Sequence, residues 1–262
     1  MKTQPDWQFA PSTEPERGPR LRRITGMGVA LAVLNLVVVA AVPMVRMHFD
    51  VQAFSAFRVF LYAVQFGLVL AGMGLLFAVI AAFLKVTPAW KRGLVMLVLG
   101  ALPLGAIVAT LGPDRFSSPM IHDITTDTDN PPRFDKARDL RGPEENSLDY
   151  GGAEVAAKQR AAWPDLGPVH TDLAPEAAMN RALQAVQGLG WELINADFNA
   201  GRIEAYDRTR FFGFTDDVVI RVRPATAGGS RVDVRSVSRV GLGDAGKNAE
   251  RIRRFIRTYE NL

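Results

Sequence analysis

Apolar residues dominate the first 112 positions of the chain, in three long stretches at residues 24–45, 57–84 and 93–111. Each stretch approaches or exceeds the roughly 20 apolar residues that a helix needs to cross the hydrocarbon core of a bilayer. No comparable stretch follows them in the sequence. The pattern therefore predicts a membrane domain of three transmembrane helices at 24–112, followed by a soluble part of the chain.

The soluble part contains two different patterns. Residues 113–174 predict an extended, acidic arm with one short helix at 152–162, because repeated Asp, Thr, Asn and Pro favour turns. Residues 175–262 predict a regular core with a helix at 175–188, four strands of alternating apolar side chains, and a final helix at 244–259. Arm and core together are long enough to form one soluble domain.

The four predicted strands pair in the order in which they occur. The first pair turns at residues 199–201 and the second at Gly228 and Gly229, where glycine permits a tight turn. This order of elements predicts an α+β fold, an antiparallel four-stranded sheet with the helices packed on one face. Basic residues of the final helix are expected to point largely away from its apolar side; they are Lys247, Arg251, Arg254 and Arg257.

Charge is divided unevenly between the two parts of the chain. Lys and Arg outnumber acids by ten to four before Pro113, whereas acids outnumber Lys and Arg by 23 to 21 after it. The basic excess therefore lies beside the membrane, and a nucleic-acid partner is not expected. The chain has no cysteine, which excludes disulfide bonds and thiolate chemistry.

The basic residues beside the predicted helices indicate the orientation of the chain. Those before the first helix or between the second and third are Arg17, Arg20, Arg22, Arg23, Lys85, Lys91 and Arg92, against Arg46 and Arg58 in the other loop. Because positive charge favours the cytoplasmic side, residues 1–23 are expected to form a cytoplasmic tail and the soluble domain to lie in the periplasm. The expected location is the inner membrane of a bacterium, with the lipid bilayer as a partner.

Polar residues are few within the predicted spans. Asn35 and Gln65 lie inside them, and Gly67 with Ala71 has the small-residue spacing of closely packed helices. No ionisable residue lies at mid-depth. Because transport paths normally use such groups, the three helices are expected to serve as an anchor.

Alternation in the last two strands places arginine on one face of the sheet. If Val218, Ile220 and Val222 face the helices, the opposite face carries the candidate anion-binding residues, which are Arg221, Arg223, Arg231, Arg235 and Arg239. Residues 202–257 hold 13 Lys and Arg against 7 acids, and residues 114–176 hold 7 against 13. Two interpretations follow. The acidic arm neutralises the basic face, or the arginines bind an anionic lipid headgroup, an envelope polymer or an acidic protein.

The soluble part resembles a known family in three segments: HDITTDTDNPPRF at 122–134, GRIEAYDRTRFFGFTDDVVIRVRP at 201–224 and GGSRVDVRSVSRVGLGDAGKNAERIRRF at 228–255. They are similar to the domain-of-unknown-function family 1499 (DUF1499), over most of residues 115–258. The resemblance implies a membrane-anchored envelope protein, and it implies no activity and no catalytic residue. Polar residues in these motifs are Asp123, Asp127, Asn130, Asp216, Asp217, Arg235, Ser236, Ser238, Arg239, Asp244 and Asn248.

Two other motifs suggest chemistry. Residues 241–247 fit the G-x-x-x-x-G-K pattern of a phosphate-binding loop, but Asn248 stands where the magnesium ligand needs to be Ser or Thr. No nucleotide site is therefore expected, and Asp244 is expected to cap the final helix. A metal site has as candidate ligands His122, Asp123, Asp127 and Asp129. The alternative is that these carboxylates cap turns.

Two pairs of polar residues on the strands have expected positions. Asp216 and Asp217 are adjacent, so they are expected on opposite faces of the sheet and not as a catalytic dyad, with one of them paired to an arginine. Ser236 and Ser238 share the inward face, where they either line a small pocket or bond to the backbone.

These patterns predict a multi-pass membrane protein whose periplasmic domain binds an anionic component of the envelope. Neither a catalytic residue nor a cofactor is expected. The alternatives are a metal-dependent hydrolase in the periplasm and a membrane scaffold for a protein partner.

Overall fold

The computed structural model describes residues 18–49, 51–111, 117–209 and 212–262. The chain divides into a helical unit that includes residues 18–42 and Val59–Ile107, and a second unit that includes Pro43–Arg58 and Val108–Leu262.

Three long helices come first, and they confirm the prediction from the apolar stretches. They are α1 at Pro19–His48, α2 at Ala53–Phe83 and α3 at Thr87–Leu111. Each is long and apolar enough to cross a membrane. Many of their large apolar side chains are exposed, as is typical of helices that face lipid.

Small residues allow α2 and α3 to pack with their backbones close together. A Cβ atom on Gly93 would lie 2.6 Å from the carbonyl oxygen of Gly74. One added to Gly100 would likewise meet the backbone of Gly67 and Ala71, the two residues whose spacing predicts such packing. Asn35 of α1 is buried beside Gly67, so the polar residue lies inside the bundle of helices and away from lipid.

The soluble domain contains six strands. In chain order its elements are β1 at Asp123–Thr125, a 3-10 helix at Lys136–Leu140, α4 at Gly152–Ala162, β2 at Val169–Thr171, α5 at Pro175–Gly188, β3 at Glu192–Asp197, β4 at Arg202–Arg208, β5 at Thr215–Pro224, β6 at Ser230–Ser238 and α6 at Lys247–Glu260. The predicted helices at 152–162 and 175–188 are confirmed, and the final helix begins three residues later than predicted.

The sheet has six strands, so the prediction of four strands was wrong. The four predicted strands do pair antiparallel in sequence order, and β1 and β2 then add to the free edge of β6. Asp123–Thr125 pairs with the end of β6, and Val169–Thr171 pairs with its beginning. Strands of three residues are too short to show alternation in sequence, and they form only where a partner edge is available.

Both faces of the sheet are covered. Helices α5 and α6 pack on one face, where Val218, Ile220 and Val222 are buried as predicted. On the opposite face a smaller apolar cluster joins the arm to the sheet; its members are Phe134, Ala137, Leu148, Val219 and Val237. The arm is therefore folded against the arginine-bearing face, as one of the two interpretations of the charge pattern requires.

We expect leucine at Gly93 to force α2 and α3 apart. The new side chain would meet backbone, which cannot move aside, so overpacking is expected to cost at least about 1–3 kcal/mol. Leucine at Gly105, on the same helix, would meet open space and serves as the matched control. Thermal unfolding of the full-length protein in detergent measures the difference. Equal midpoints for G93L and G105L would show that this contact does not stabilise the unit.

Candidate functional site

Arg235 of β6 is the largest fully buried side chain of the chain's described residues. Its Nε and Nη2 atoms donate hydrogen bonds to the two carboxylate oxygens of Asp123, at 2.9 and 2.7 Å. The remaining donors reach backbone carbonyl oxygens of the arm, Pro132 at 3.0 Å and Leu148 at 2.9 Å. The guanidinium thereby satisfies its charge and joins three points of the arm to the sheet.

Two aromatic rings of the arm enclose the same guanidinium. Its central carbon lies 5.3 Å from the ring centroid of Phe134 and 5.4 Å from that of Tyr150. Both distances are within the range of cation–π attraction. Arg235 is therefore held by charge, hydrogen bonds and aromatic faces, and none of its charge is presented to solvent.

A second cluster joins three arginines to two aspartates. Asp127 of the arm accepts from Arg221 at 3.1 Å, from Arg223 at 3.4 Å and from Arg231 at 2.9 Å. Asp233 of β6 accepts from the same three side chains at 2.9, 2.9 and 3.0 Å. The two carboxylates leave one excess positive charge, spread over guanidiniums that are at most about one third exposed.

Asp217 forms the third cluster, with arginines from two segments. It accepts from Arg141 of the arm at 2.7 Å and from Arg239 at 2.8 Å, and it is fully buried. Burial lowers the pKa of Arg141, although the hydrogen bond and charge of Asp217 oppose that shift. Asp216 lies on the other face and pairs with Arg251 of α6 at 2.6 Å. The prediction that the two carboxylates face opposite sides is confirmed, and each of them has an arginine partner.

All five candidate anion-binding arginines are thus ion-paired within the domain. Of the two interpretations of the charge pattern, these contacts support neutralisation of the basic face by the acidic arm. An open arginine surface across the strands is not what the structure presents, because the arm covers that surface.

The four candidate metal ligands are not brought together. Asp123 and Asp127 are bound to the arginines described above, Asp129 pairs with Arg160 at 3.3 Å, and His122 contacts a backbone carbonyl oxygen. Within the described ranges, no three His, Asp or Glu side chains are grouped so that they would hold a metal ion.

The glycine-rich loop before α6 is closed by its own carboxylate. Asp244 accepts from the backbone N–H of Gly246 at 2.9 Å and of Asn248 at 2.6 Å. The N-cap residue of α6 is Gly246, so Asp244 bonds to the first turn of the helix from two residues before the N-cap position. Burial raises the pKa of Asp244, and the two N–H bonds partly offset this. The donors that a phosphate would need are therefore already occupied.

A buried polar network connects the sheet to α6. Asn248 bonds to the hydroxyls of Ser236 at 2.7 Å and Ser238 at 2.9 Å. These hydroxyls therefore contact a side chain, whereas the two expected alternatives were a small pocket and a bond to the backbone. Arg251 is also buried, contrary to the prediction that it points away from the apolar side, and it bonds to Asn248 and to Asp207. Asp207 and Asp216, near adjacent ends of β4 and β5, are the reason, since their carboxylates pair with the guanidinium of Arg251.

A cavity of about 430 Å³ lies beside the buried Arg235. It is lined by Asp129, Asn130, Pro131, Arg133, Arg138, Leu148, Asp149, Tyr150 and Arg235. Arg133 is exposed, and its side chain has no ion pair or hydrogen bond within the part of the chain that the structure describes. A second cavity of about 200 Å³ shares Asn130 and Arg133 and adds Ala200, Arg202 and Arg221.

Two further side chains in the first cavity are donors. The hydroxyl of Tyr150 is buried and lacks a hydrogen-bond partner among the described residues. Burial and the charge of Asp123 raise the pKa of Tyr150 to about 12, so the group is a protonated donor at neutral pH. Arg138 is about half exposed and pairs with the exposed Asp149 at 2.9 Å.

Sequence reasoning missed Arg133, Arg138 and Tyr150. Arg133 lies in the first family motif, HDITTDTDNPPRF, and this position was the one feature of the sequence that could have indicated it as a site residue. Arg138 and Tyr150 lie in the arm around its 3-10 helix, where no regular periodicity tells which side chains meet.

We expect R235M to release the arm. Methionine would fill part of the same volume but leave the carboxylate of Asp123 buried without a partner, and breaking such a pair costs about 3–5 kcal/mol. The matched control is R254M, because Arg254 is exposed on α6 and is not in an ion pair with any described residue. Hydrogen exchange of the arm in the full-length protein should quicken in R235M alone. Unchanged protection would contradict the role assigned to this pair.

No curated protein matches the chain. A family described as "Protein of unknown function (DUF1499)" matches residues 123–258, which include all six strands. Every motif residue named above takes part in a contact within the domain, Asn130 through its backbone. The matched segments are therefore those that fasten the arm and α6 to the sheet, and since the match covers more than half of the chain, the protein belongs to the DUF1499 family.

Proposed function

We propose that this protein is a multi-pass protein of a bacterial inner membrane whose periplasmic domain binds an anionic component of the envelope. The distribution of Lys and Arg around the three apolar helices supports this orientation. The binding role rests mainly on one observation. Arg133 lines both cavities and is exposed, and it has no ion-pair partner among the described residues.

Arg133 differs in this respect from the arginines on the strands. Its guanidinium presents several donors in a plane, which suits the oxygens of a phosphate or a carboxylate. An anion that binds Arg133 would not have to displace a carboxylate, because Arg133 has no ion-pair partner among the described residues. An anion at the strands would have to displace Asp127 or Asp233, each of which holds three arginines.

Arg138 and Tyr150 complete the proposed site. The ion pair of Arg138 with Asp149 is exposed, and exposed pairs contribute only about 0–1 kcal/mol, so Arg138 is able to exchange Asp149 for a ligand. Tyr150 lines the same cavity, and its hydroxyl is buried without a hydrogen-bond partner among the described residues, so it is the donor that a ligand would engage. A volume of about 430 Å³ suits a group of the size of a lipid headgroup or one unit of a phosphorylated polymer.

The orientation is tested by reporter fusions at Leu262. An enzyme that is active only outside the cytoplasm is expected to be active there, and one that requires the cytoplasm is expected to be inactive. The reverse result would place the domain in the cytoplasm and would exclude an envelope ligand.

The binding site is tested with R133Q in the full-length protein, purified in an uncharged detergent. Charge-assisted hydrogen bonds contribute about 1.5–3 kcal/mol, so we expect affinity for short-chain phosphatidylglycerol or tripolyphosphate to fall by about 10- to 150-fold. Y150F removes a neutral donor and is expected to weaken binding by up to about tenfold, with no loss of stability because that hydroxyl has no internal partner. Calorimetric titration measures both effects.

The control for these variants is R254Q, which removes another exposed arginine, on α6. Equal weakening by R133Q and R254Q would indicate only general charge attraction. If the wild-type protein binds neither probe, the anionic class of ligand is wrong.

A further inference from the structure

Two basic segments that are far apart in sequence lie at the same end of the helical unit. Gly18 lies against the side chain of Val86, and Leu21 packs with Val86 and Ala89. The start of α1 therefore contacts the short connection between α2 and α3. One turn further along α1, the carbonyl oxygen of Arg22 accepts a hydrogen bond of 2.8 Å from the guanidinium of Arg92.

This contact gathers cations into one cluster, which we call the basic end. Its exposed members are Arg20, Arg23, Lys85, Lys91 and Arg92. Residues 18–49 and 51–111, the described part of the helical region, contain no Asp or Glu. The positive charges of the basic end are therefore not balanced by any acid within that part of the chain, in contrast to the five paired arginines on β5, β6 and the loop after β6.

The surroundings of the basic end are those of a membrane–water boundary. Trp90 lies beside these cations, with the ammonium of Lys91 5.7 Å from its ring centroid. Tryptophan and long basic side chains favour the level of the lipid headgroups, where their apolar parts remain in the bilayer. The large exposed apolar residues of α1, α2 and α3 begin directly beyond this level.

We propose that the basic end is a binding site for the headgroup of an anionic phospholipid. A phosphodiester placed between the start of α1 and the connection of α2 with α3 would accept hydrogen bonds from both segments and relieve the repulsion among their charges. Lipid is the occupant that the location favours, since the neighbouring helix surfaces are apolar. The proposal is independent of the ligand site at Arg133, because it concerns other residues in the other unit.

The experiment uses the full-length protein in nanodiscs or detergent, with phosphatidylglycerol as the probe and phosphatidylcholine of the same acyl chains as the comparison. Native mass spectrometry counts retained lipids and gives their relative affinity. Two variants, R20Q/R23Q and K85Q/K91Q, each remove two cations from one segment. Since a basic residue near an anionic headgroup contributes about a fivefold gain in affinity, each pair should weaken phosphatidylglycerol retention by about 25-fold at low salt.

The matched control is R254Q/R257Q, which removes two exposed arginines from α6 of the soluble domain. Support for the site requires that both test variants lose phosphatidylglycerol, that the control keeps it, and that phosphatidylcholine retention stays unchanged. The proposal is overturned if the control loses as much as the test variants. It is also overturned if only one segment matters, because the site is defined by their contact.

A second measurement protects against variants that misfold. Raising the salt concentration should release phosphatidylglycerol from the wild-type protein and leave phosphatidylcholine unaffected, since screening weakens exposed charge interactions. Retention of phosphatidylglycerol that does not change with salt would overturn the proposal without any substitution.

Discussion

A guanidinium placed inside a protein must be paired, because an unpaired buried charge is far too unfavourable. Arg235 meets this condition only when Asp123 and two carbonyl oxygens of the arm surround it. The arm therefore has to fold over the sheet for this face to be stable at all. In the pairing of β1 with β6, Thr125 lies opposite Arg235, and the Asp123 that pairs with Arg235 is in the same strand. The backbone pairing and the ion pair therefore require the same position of the arm.

The other charge clusters of this face also depend on the arm lying over the sheet. Once the arm is in place, Asp127 lies among three arginines and Arg141 reaches the buried Asp217. Glu204 of β4 is also buried and accepts three backbone N–H groups at the start of the 3-10 helix. The polar motif residues of the family therefore bind the arm to the sheet. The side chains that are left to bind a ligand are those outside these contacts, and Arg133 is the main one.

The two parts of the chain differ in how their positive charges are compensated. In the soluble domain, the arginines on the strands are paired with carboxylates of the arm and of the sheet, and a ligand is proposed only at Arg133, which has no ion-pair partner among the described residues. In the helical unit, the described residues contain no acid that matches the basic end, and the compensating anion is proposed to come from the bilayer. Both proposals rest on the same physical requirement, that concentrated positive charge needs a nearby anion.

The sequence by itself determined the elements whose local signal is strong: three helices from the length of their apolar stretches, four strands from their alternation, and α5. It also determined which face carries Arg221 and Arg235, because alternation in a strand leaves only two sides. Only the tertiary structure decided where β1 and β2 pair, why Arg251 is buried, and which arginines already have partners. The physical reason is that these features depend on contacts between residues that are far apart in sequence, such as Arg235 with Asp123 at a separation of 112 positions, and a local pattern contains no information about such contacts.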